Sequence, residues 1–140
     1  MLNVRFAEPA DLAAITRFDA LLGDRVVEIL ERRMLVIDVD GQIQAYASWQ
    51  RNGCIGKDYV NKLVVHEANR RQGLAKQLIA ALDTFLTGRV FISTPAGNIA
   101  AVRLLEAAQW VYAGQLTGLL PSEEAEVFFY KDLRGQLPSQ

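Results

Sequence analysis

Cysteine is nearly missing from this 140-residue chain: Cys54 stands alone, which excludes an internal disulfide and fits a reducing compartment. Long apolar runs are missing too, none approaching the roughly 20 residues needed to cross a bilayer. The opening MLNVRFAEPADL has neither the basic start nor the apolar stretch of a signal peptide. Nor does one sign of charge dominate. The 15 Lys and Arg against 16 Asp and Glu give a net charge of −1, so no global field draws the chain to nucleic acid or to a membrane surface. Repeats, low-complexity stretches and linkers are absent as well. With 51% hydrophobic and 22% charged residues, the composition is that of a globular protein. The expectation is one cytoplasmic domain over residues 1–140, large enough to bury a core without staples.

The most pointed absence is local. No carboxylate occurs from Ala68 through Leu82, although an amphipathic helix begins inside that stretch. Arg70, Arg71 and Lys76 stand where the helix macrodipole favours Asp or Glu, and each exposed misplaced cation costs ~0.3–1 kcal/mol. The unpaired N–H groups of a helix start bind phosphate, and Gly73 lets an anion approach the backbone closely. These residues predict a phosphorylated ligand. The plain alternative is an exposed helix that merely begins basic. Other phosphate motifs are absent, with neither G-x-x-x-x-G-K-[ST] nor G-x-G-x-x-G in the chain.

Apolar spacing supplies the rest of the order. Residues 3–7 alternate as a short strand, and Pro9 suits the first turn of a helix with Leu12, Ile15, Phe18 and Leu22 along one face. A second helix is expected from Asp24 to Arg33, with Asp24 as N-cap. MLVIDV and QIQAYASWQ flank Asp40-Gly41, a strong hairpin signal. In the second strand Ile43, Ala45, Ala47 and Trp49 oppose Gln42, Gln44, Tyr46 and Ser48, which predicts one buried and one polar face. RNGCIGK reads as the next turn. Its Gly53-Cys54-Ile55-Gly56 matches the G-x-x-G clamp of KH domains, but its place between antiparallel strands favours a hairpin. DYVNKLVV then feeds the basic helix, whose Leu74, Leu78, Leu82 and Phe85 face the core. That apolar period runs unbroken to Leu86, which speaks against a helix-turn-helix at GLAKQLIAAL. RVFIST, a helix from Asn98 to Ala108, WVYAG and EVFFYKDL complete the chain.

The segment from Leu63-Val64-Val65 through Arg70-Arg71-Gln72-Gly73-Leu74-Ala75 resembles the acetyl-CoA motif of GNAT-type N-acetyltransferases. In that motif an L-x-V strand precedes [QR]-x-x-G-x-[GA], matched by Arg70, Gly73 and Ala75. The order β-α-α-β-β-β-α-β-α-β-β is similar to that family's as well. The resemblance implies an α/β (α+β) fold with a mixed, splayed central sheet and helices on both faces. It implies acetyl-CoA as co-substrate and no metal. Leu63, Val64 and Val65 would pair with the pantetheine arm where DYVNKLVV and RVFIST lie side by side, and Arg70, Arg71, Gln72, Gly73, Leu74 and Ala75 would hold the pyrophosphate. NIAAVRLLEAAQW resembles the family's N-x-x-A-x-x-L-Y-x-x-x-G-F through Asn98, Ala101, Leu104 and Trp110, which adds Asn98 to the cofactor contacts. An ordinary N-cap is the other role open to Asn98. The implied activity is acetyl transfer to a primary amine of a small molecule or peptide; the alternative is a GNAT-fold acyl-CoA sensor without transfer. The apolar VFFY strand leaves a homodimer open.

The acid–base side departs from that family. Leu105 stands where a tyrosine often protonates the departing thiolate, and Gln109 replaces a glycine, which puts the geometry of that helix end in question. Asn61 and Lys62 occupy strand positions where many members carry a carboxylate. Asp58, Glu67 and Tyr112 remain as candidate catalytic groups; Tyr59, Tyr112 and Tyr130 could each reach the site, though tyrosines near sheet ends are more often core or rim, and His66 is either a base or a solvent-facing turn residue. Asp38, Asp40, Asp58, Glu67, Glu123, Glu124 and Glu126 form either an acidic rim for a cationic amine or scattered solvating charge. The expectation is catalysis chiefly by holding amine and thioester together, with a backbone N–H near Val65 facing the thioester oxygen.

Overall fold

The computed structural model describes residues 1–19 and 24–134, and their elements follow the predicted order. They are β1 (Leu2–Phe6), α1 (Leu12–Phe18), α2 (Arg25–Leu30), β2 (Met34–Val39), β3 (Gln42–Cys54), β4 (Lys57–Val65), α3 (Leu74–Phe85), β5 (Gly88–Pro95), α4 (Ile99–Ala107), β6 (Val111–Leu116) and β7 (Glu126–Leu133). The strands form a seven-stranded sheet in the order β1-β2-β3-β4-β5-β7-β6. It is mixed: β4 and β5 run parallel from Asp58↔Val90 to Val60↔Ile92, while β1–β2, β2–β3, β5–β7 and β6–β7 are antiparallel. No helix among the described residues is long and apolar enough to cross a membrane. Leu22, expected on the first helix, lies outside the described residues.

Contacts gather the chain into two compact units, the first being Met1–Gln50 with Asn61–Ala81. Its core packs Ala7, Ile15, Ile29, Met34, Val36 and Tyr46, with Val64 of β4 against them. Each large apolar side chain contributes about 1.5–3 kcal/mol on full burial. Asp40 and Gly41 both take left-handed backbone (φ 52 and 87), as a two-residue hairpin turn twisted like its strands requires. Pro9 opens a 3-10 turn, Pro9–Asp11, closed by a reciprocal box in which Glu8 and Asp11 cap each other's backbone N–H groups. Asp11 also accepts from Arg5, which reaches Asp38 as well. Burial opposes ionisation of Asp11, but the Arg5 and Glu8 hydrogen bonds outweigh it and hold the carboxyl below its usual range.

Two expectations for this unit are corrected. The second helix ends at Leu30 and not Arg33, because Arg32 turns into left-handed backbone (φ 55). Strand β3 is not two-faced: Tyr46 and Ser48, assigned to the polar side, are fully buried together with Ala45 and Ala47. Their polar atoms are satisfied inside. The Tyr46 hydroxyl donates to Asp19 beside the Phe18 ring, and Ser48 donates to Asn61 at 3.3 Å. Burial, followed by the Asp19 hydrogen bond, pushes the Tyr46 phenol well above its ordinary pKa.

The second unit comprises Arg51–Val60 with residues from Leu82 onward. Val90, Ile92 and Thr94 of β5 and Val127, Phe129 and Leu133 of β7 are buried on one side of their strands. The turn after β3 is shorter than expected, with β3 running to Cys54 and only Ile55-Gly56 (φ 47 and 84) turning. Helix α4 is capped by Asn98, whose side chain accepts from Ala101 N–H at 3.2 Å. It ends in a Schellman motif: Trp110 N–H reaches Leu105 C=O at 2.9 Å and Gln109 N–H reaches Glu106 C=O at 3.0 Å. Gln109 adopts φ +68, the conformation a glycine would take there, so the substitution preserves that helix end at the cost of local strain.

Candidate active site

The apolar half of β4 leads through a 3-10 turn, Glu67–Asn69, into the start of α3. His66 caps that turn: its Nδ1 accepts from Ala68 N–H at 3.1 Å, its ring packs 5.1 Å from Phe18, and its own backbone N–H is bound to Gln44 C=O. That cap is the turn role expected for His66, although its ring packs on Phe18 and does not face solvent freely. Arg70 then extends and folds its Nε back toward Val65 C=O at 3.4 Å. Arg71 (φ 66) and Gly73 (φ 78) both take left-handed backbone before the helix. Gly73 C=O accepts the first helical bond, from Gln77 N–H. The N–H groups of the residues just after it therefore point out of the helix end without an intrahelical acceptor.

Arg70, Arg71, Gln72, Gly73 and Lys76 are exposed, while Leu74 is buried beneath them and anchors the turn with Leu78 and Ile79. A Cβ built on Gly73 meets nothing within 4 Å, so open space lies above the helix start. Free donors, the positive end of a twelve-residue helix, no acid in its first turn and flanking arginines are together what could hold a phosphorylated group. Leu63, Val64 and Val65, the strand residues expected to bind the cofactor, lead directly into it and are half-buried. The residues present fit a pyrophosphate.

The acid–base candidates are dispersed. Asp58 braces the β3–β4 hairpin by accepting Asn52 N–H at 3.1 Å. Glu67 is exposed at the start of the 3-10 turn. Tyr112 is 55% exposed on β6 and meets Phe129 edge-on. Tyr59 hydrogen-bonds Ser93 at 2.6 Å, which donates to Glu126 at 2.7 Å; burial above all raises the Tyr59 pKa. Leu105, at the usual tyrosine's place, is buried. Several carboxylates of the suggested rim have intramolecular duties: Asp38 with Arg5, Asp40 with the N-terminal amine, Asp58 with Asn52, and Glu124 with Gly97 N–H. That favours structural charge over an acidic rim.

One pair escaped the sequence reading. Lys62 of β4 donates to both carboxylate oxygens of Glu28 of α2, each at 2.9 Å, with the side chains 4% and 6% exposed. A carboxylate therefore does reach the middle of β4, delivered by a helix 34 residues away in sequence. The signal was Lys62 itself, since an ammonium in an apolar strand demands an anionic partner. Nothing in RVVEIL singles out Glu28 as that partner.

Comparison with known proteins agrees with this geometry. The acetyltransferase (GNAT) family model matches residues 7–109. The chain belongs to the GNAT acetyltransferase family. No curated protein sequence matches it significantly. Among solved structures, an acetyltransferase of the GNAT family from Bacillus cereus is 22% identical, with 95% of this chain and 98% of that one covered at a TM-score of 0.83. Salmonella typhimurium yncA, solved with acetyl-CoA, is 19% identical, with 100% and 98% covered at 0.78. The ribosomal-protein-S18-alanine N-acetyltransferase of Escherichia coli is 18% identical, with 100% of both chains covered at 0.76. At these identities the structures share the fold with this chain.

Proposed function

We propose that this protein is an N-acetyltransferase that moves the acetyl group of acetyl-CoA to a primary amine of a small molecule or peptide. The observation that carries this reading is the start of α3: carboxylate-free, flanked by Arg70 and Arg71, and open above Gly73 at φ +78. The N–H groups of Gly73, Leu74 and Ala75 and the Arg70 and Arg71 side chains hold the pyrophosphate, with Gln72 at its edge. Backbone groups of Leu63, Val64 and Val65 pair with the amides of the pantetheine arm, and Asn98 adds a contact to it. The thioester supplies an activated acyl carbon. The chain's part is to fix that carbon beside the amine and offer backbone N–H groups near Val65 to its oxygen, which removes most of the entropic barrier. The lone Cys54 goes with a cytoplasmic setting.

Leu105 and the dispersed acid–base candidates keep a second reading alive, an acyl-CoA sensor that does not transfer. A thiol-release assay with spermidine, tyramine and a peptide bearing a free α-amine separates the two. Sustained release above hydrolysis is the expected result; tight CoA binding with no release on any amine gives the sensor. In the active protein, Asp58→Asn, Glu67→Gln, His66→Ala and Tyr112→Phe should each lower turnover by less than about a hundredfold, below the usual span of general acid–base effects. Arg70→Ala should raise KM and leave kcat nearly unchanged, because it removes binding common to ground and transition states. A loss beyond about a thousandfold from one of the first four, in a folded protein, would assign that residue a dedicated catalytic role.

A further inference from the structure

Helix α2 is inside out. Its buried face carries Arg25 and Glu28 beside Ile29, while Val26, Val27 and Leu30 are exposed at 47%, 39% and 67%. Partition between water and core would place these side chains the other way round. The pair that results, Glu28 with Lys62, is buried, and a buried ion pair of this kind is often no more stable than two well-packed hydrophobic residues. Local rules broken without gain in stability are expected at functional sites. The place is informative: Lys62 immediately precedes Leu63-Val64-Val65, the strand assigned to the pantetheine arm. The chain has leucine at position 105, where the family resemblance calls for a proton donor, and Asn61 and Lys62 at the strand positions where it calls for a carboxylate.

We infer that Glu28 and Lys62 are the acid–base couple of the transfer reaction, Glu28 taking the proton of the attacking amine and Lys62 giving one to the departing thiolate. The inference rests on the acetyl-transfer reading above. As the new N–C bond forms, the amine's N–H proton passes to a Glu28 oxygen. The C–S bond breaks with its electron pair left on sulfur, and the Lys62 ammonium supplies the proton that makes the thiol. Glu28 then returns its proton to the Lys62 amine along their 2.9 Å hydrogen bond, and the pair is restored. Atoms and charge balance with no outside acid or base. Glu28 binds Lys62 through two of the three ammonium protons, which leaves one for a further acceptor.

The test uses the full chain, acetyl-CoA, and whichever of spermidine, tyramine or the α-amine peptide releases thiol fastest from wild type. Glu28→Gln should lower kcat at least a hundredfold with acetyl-CoA affinity within about threefold. Lys62→Arg keeps the charge and the ion pair but holds its proton too tightly to act as an acid. It should melt near wild type yet lose kcat by a similar factor. A readout independent of turnover is the pH at which the bound CoA thiol ionises, followed by thiolate ultraviolet absorbance: it should lie lower in wild type, where the Lys62 ammonium faces the sulfur, than in Lys62→Met. Glu28→Gln or Lys62→Arg turning over within threefold of wild type would overturn the couple. So would wild-type acetyl-CoA binding without thiol release on any amine. Absence of acetyl-CoA binding by wild type would overturn the transferase reading as well.

Discussion

Gly73→Glu should abolish acetyl-CoA binding in a protein that still folds. The expectation combines two features of one position. The backbone there is at φ +78, so any side chain adds strain of roughly 1–2 kcal/mol, a fraction of the ~5–15 kcal/mol that holds a typical domain together. The space above is open, with nothing within 4 Å of the point a Cβ would occupy, so the glutamate meets no steric barrier from its own chain. What it does meet is the ligand: a carboxylate at the helix start occupies the free N–H groups and repels a pyrophosphate. Calorimetric titration with acetyl-CoA, beside a thermal melt of the same variant, reads the two effects separately. Gly73→Ala should melt with similar loss but retain measurable affinity. Wild-type affinity in a folded Gly73→Glu protein would place the anion site elsewhere.

The largest effect on stability is expected at the other side of the same helix. Leu78 of α3 is fully buried, and Leu78→Ala should destabilise the protein by about 2–5 kcal/mol through lost transfer energy and the cavity left behind. Ile55 is the natural control. It is 100% exposed in the β3–β4 turn, and Ile55→Ala should stay within roughly 0.5 kcal/mol of wild type. Denaturant unfolding of both variants checks the pair. A loss below about 1 kcal/mol at Leu78 would mean that α3 is not seated on the core as described.

Much of this molecule was legible in its sequence because the signals were local. Asp40-Gly41 forms the hairpin turn its sequence predicts, since only a few residues tolerate two successive left-handed positions. Asp24 and Asn98 cap their helices as expected, each accepting an N–H three residues on. The helical period of Leu74, Leu78 and Leu82 fixed the inward face of α3, and all three are buried. The unusual start of α3 was legible for a related reason: its charge contradicts its own helix dipole, and such a conflict needs no partner from elsewhere in the chain to be seen.

What the sequence hid depends on contacts between distant segments. Alternation along β3 assigned Tyr46 and Ser48 to solvent, because their partners Asp19 and Asn61 lie 27 and 13 residues away. The same blindness concealed Glu28, whose neighbours Val26, Val27 and Leu30 look more like core than it does. Gln109 failed in the opposite direction. A non-glycine at a glycine position suggested altered geometry, yet the helix end tolerates the strain and keeps its Schellman bonds. Substrate identity is not written in any local pattern of this chain: of the acidic residues offered as a rim, Asp38, Asp58 and Glu124 are engaged with Arg5, Asn52 and Gly97.

The ligand at the start of α3 is the central claim, and the most direct measurement is the melting temperature of the wild-type chain with and without millimolar acetyl-CoA. A ligand that binds only the folded state stabilises it by mass action, about 2.7 kcal/mol at a hundred times Kd. Acetyl-CoA and CoA should raise the melting temperature by several degrees. Desulfo-CoA should do nearly as well, because the pyrophosphate and pantetheine contacts carry most of the affinity. An unchanged melting temperature with all three at millimolar concentration would contradict that claim.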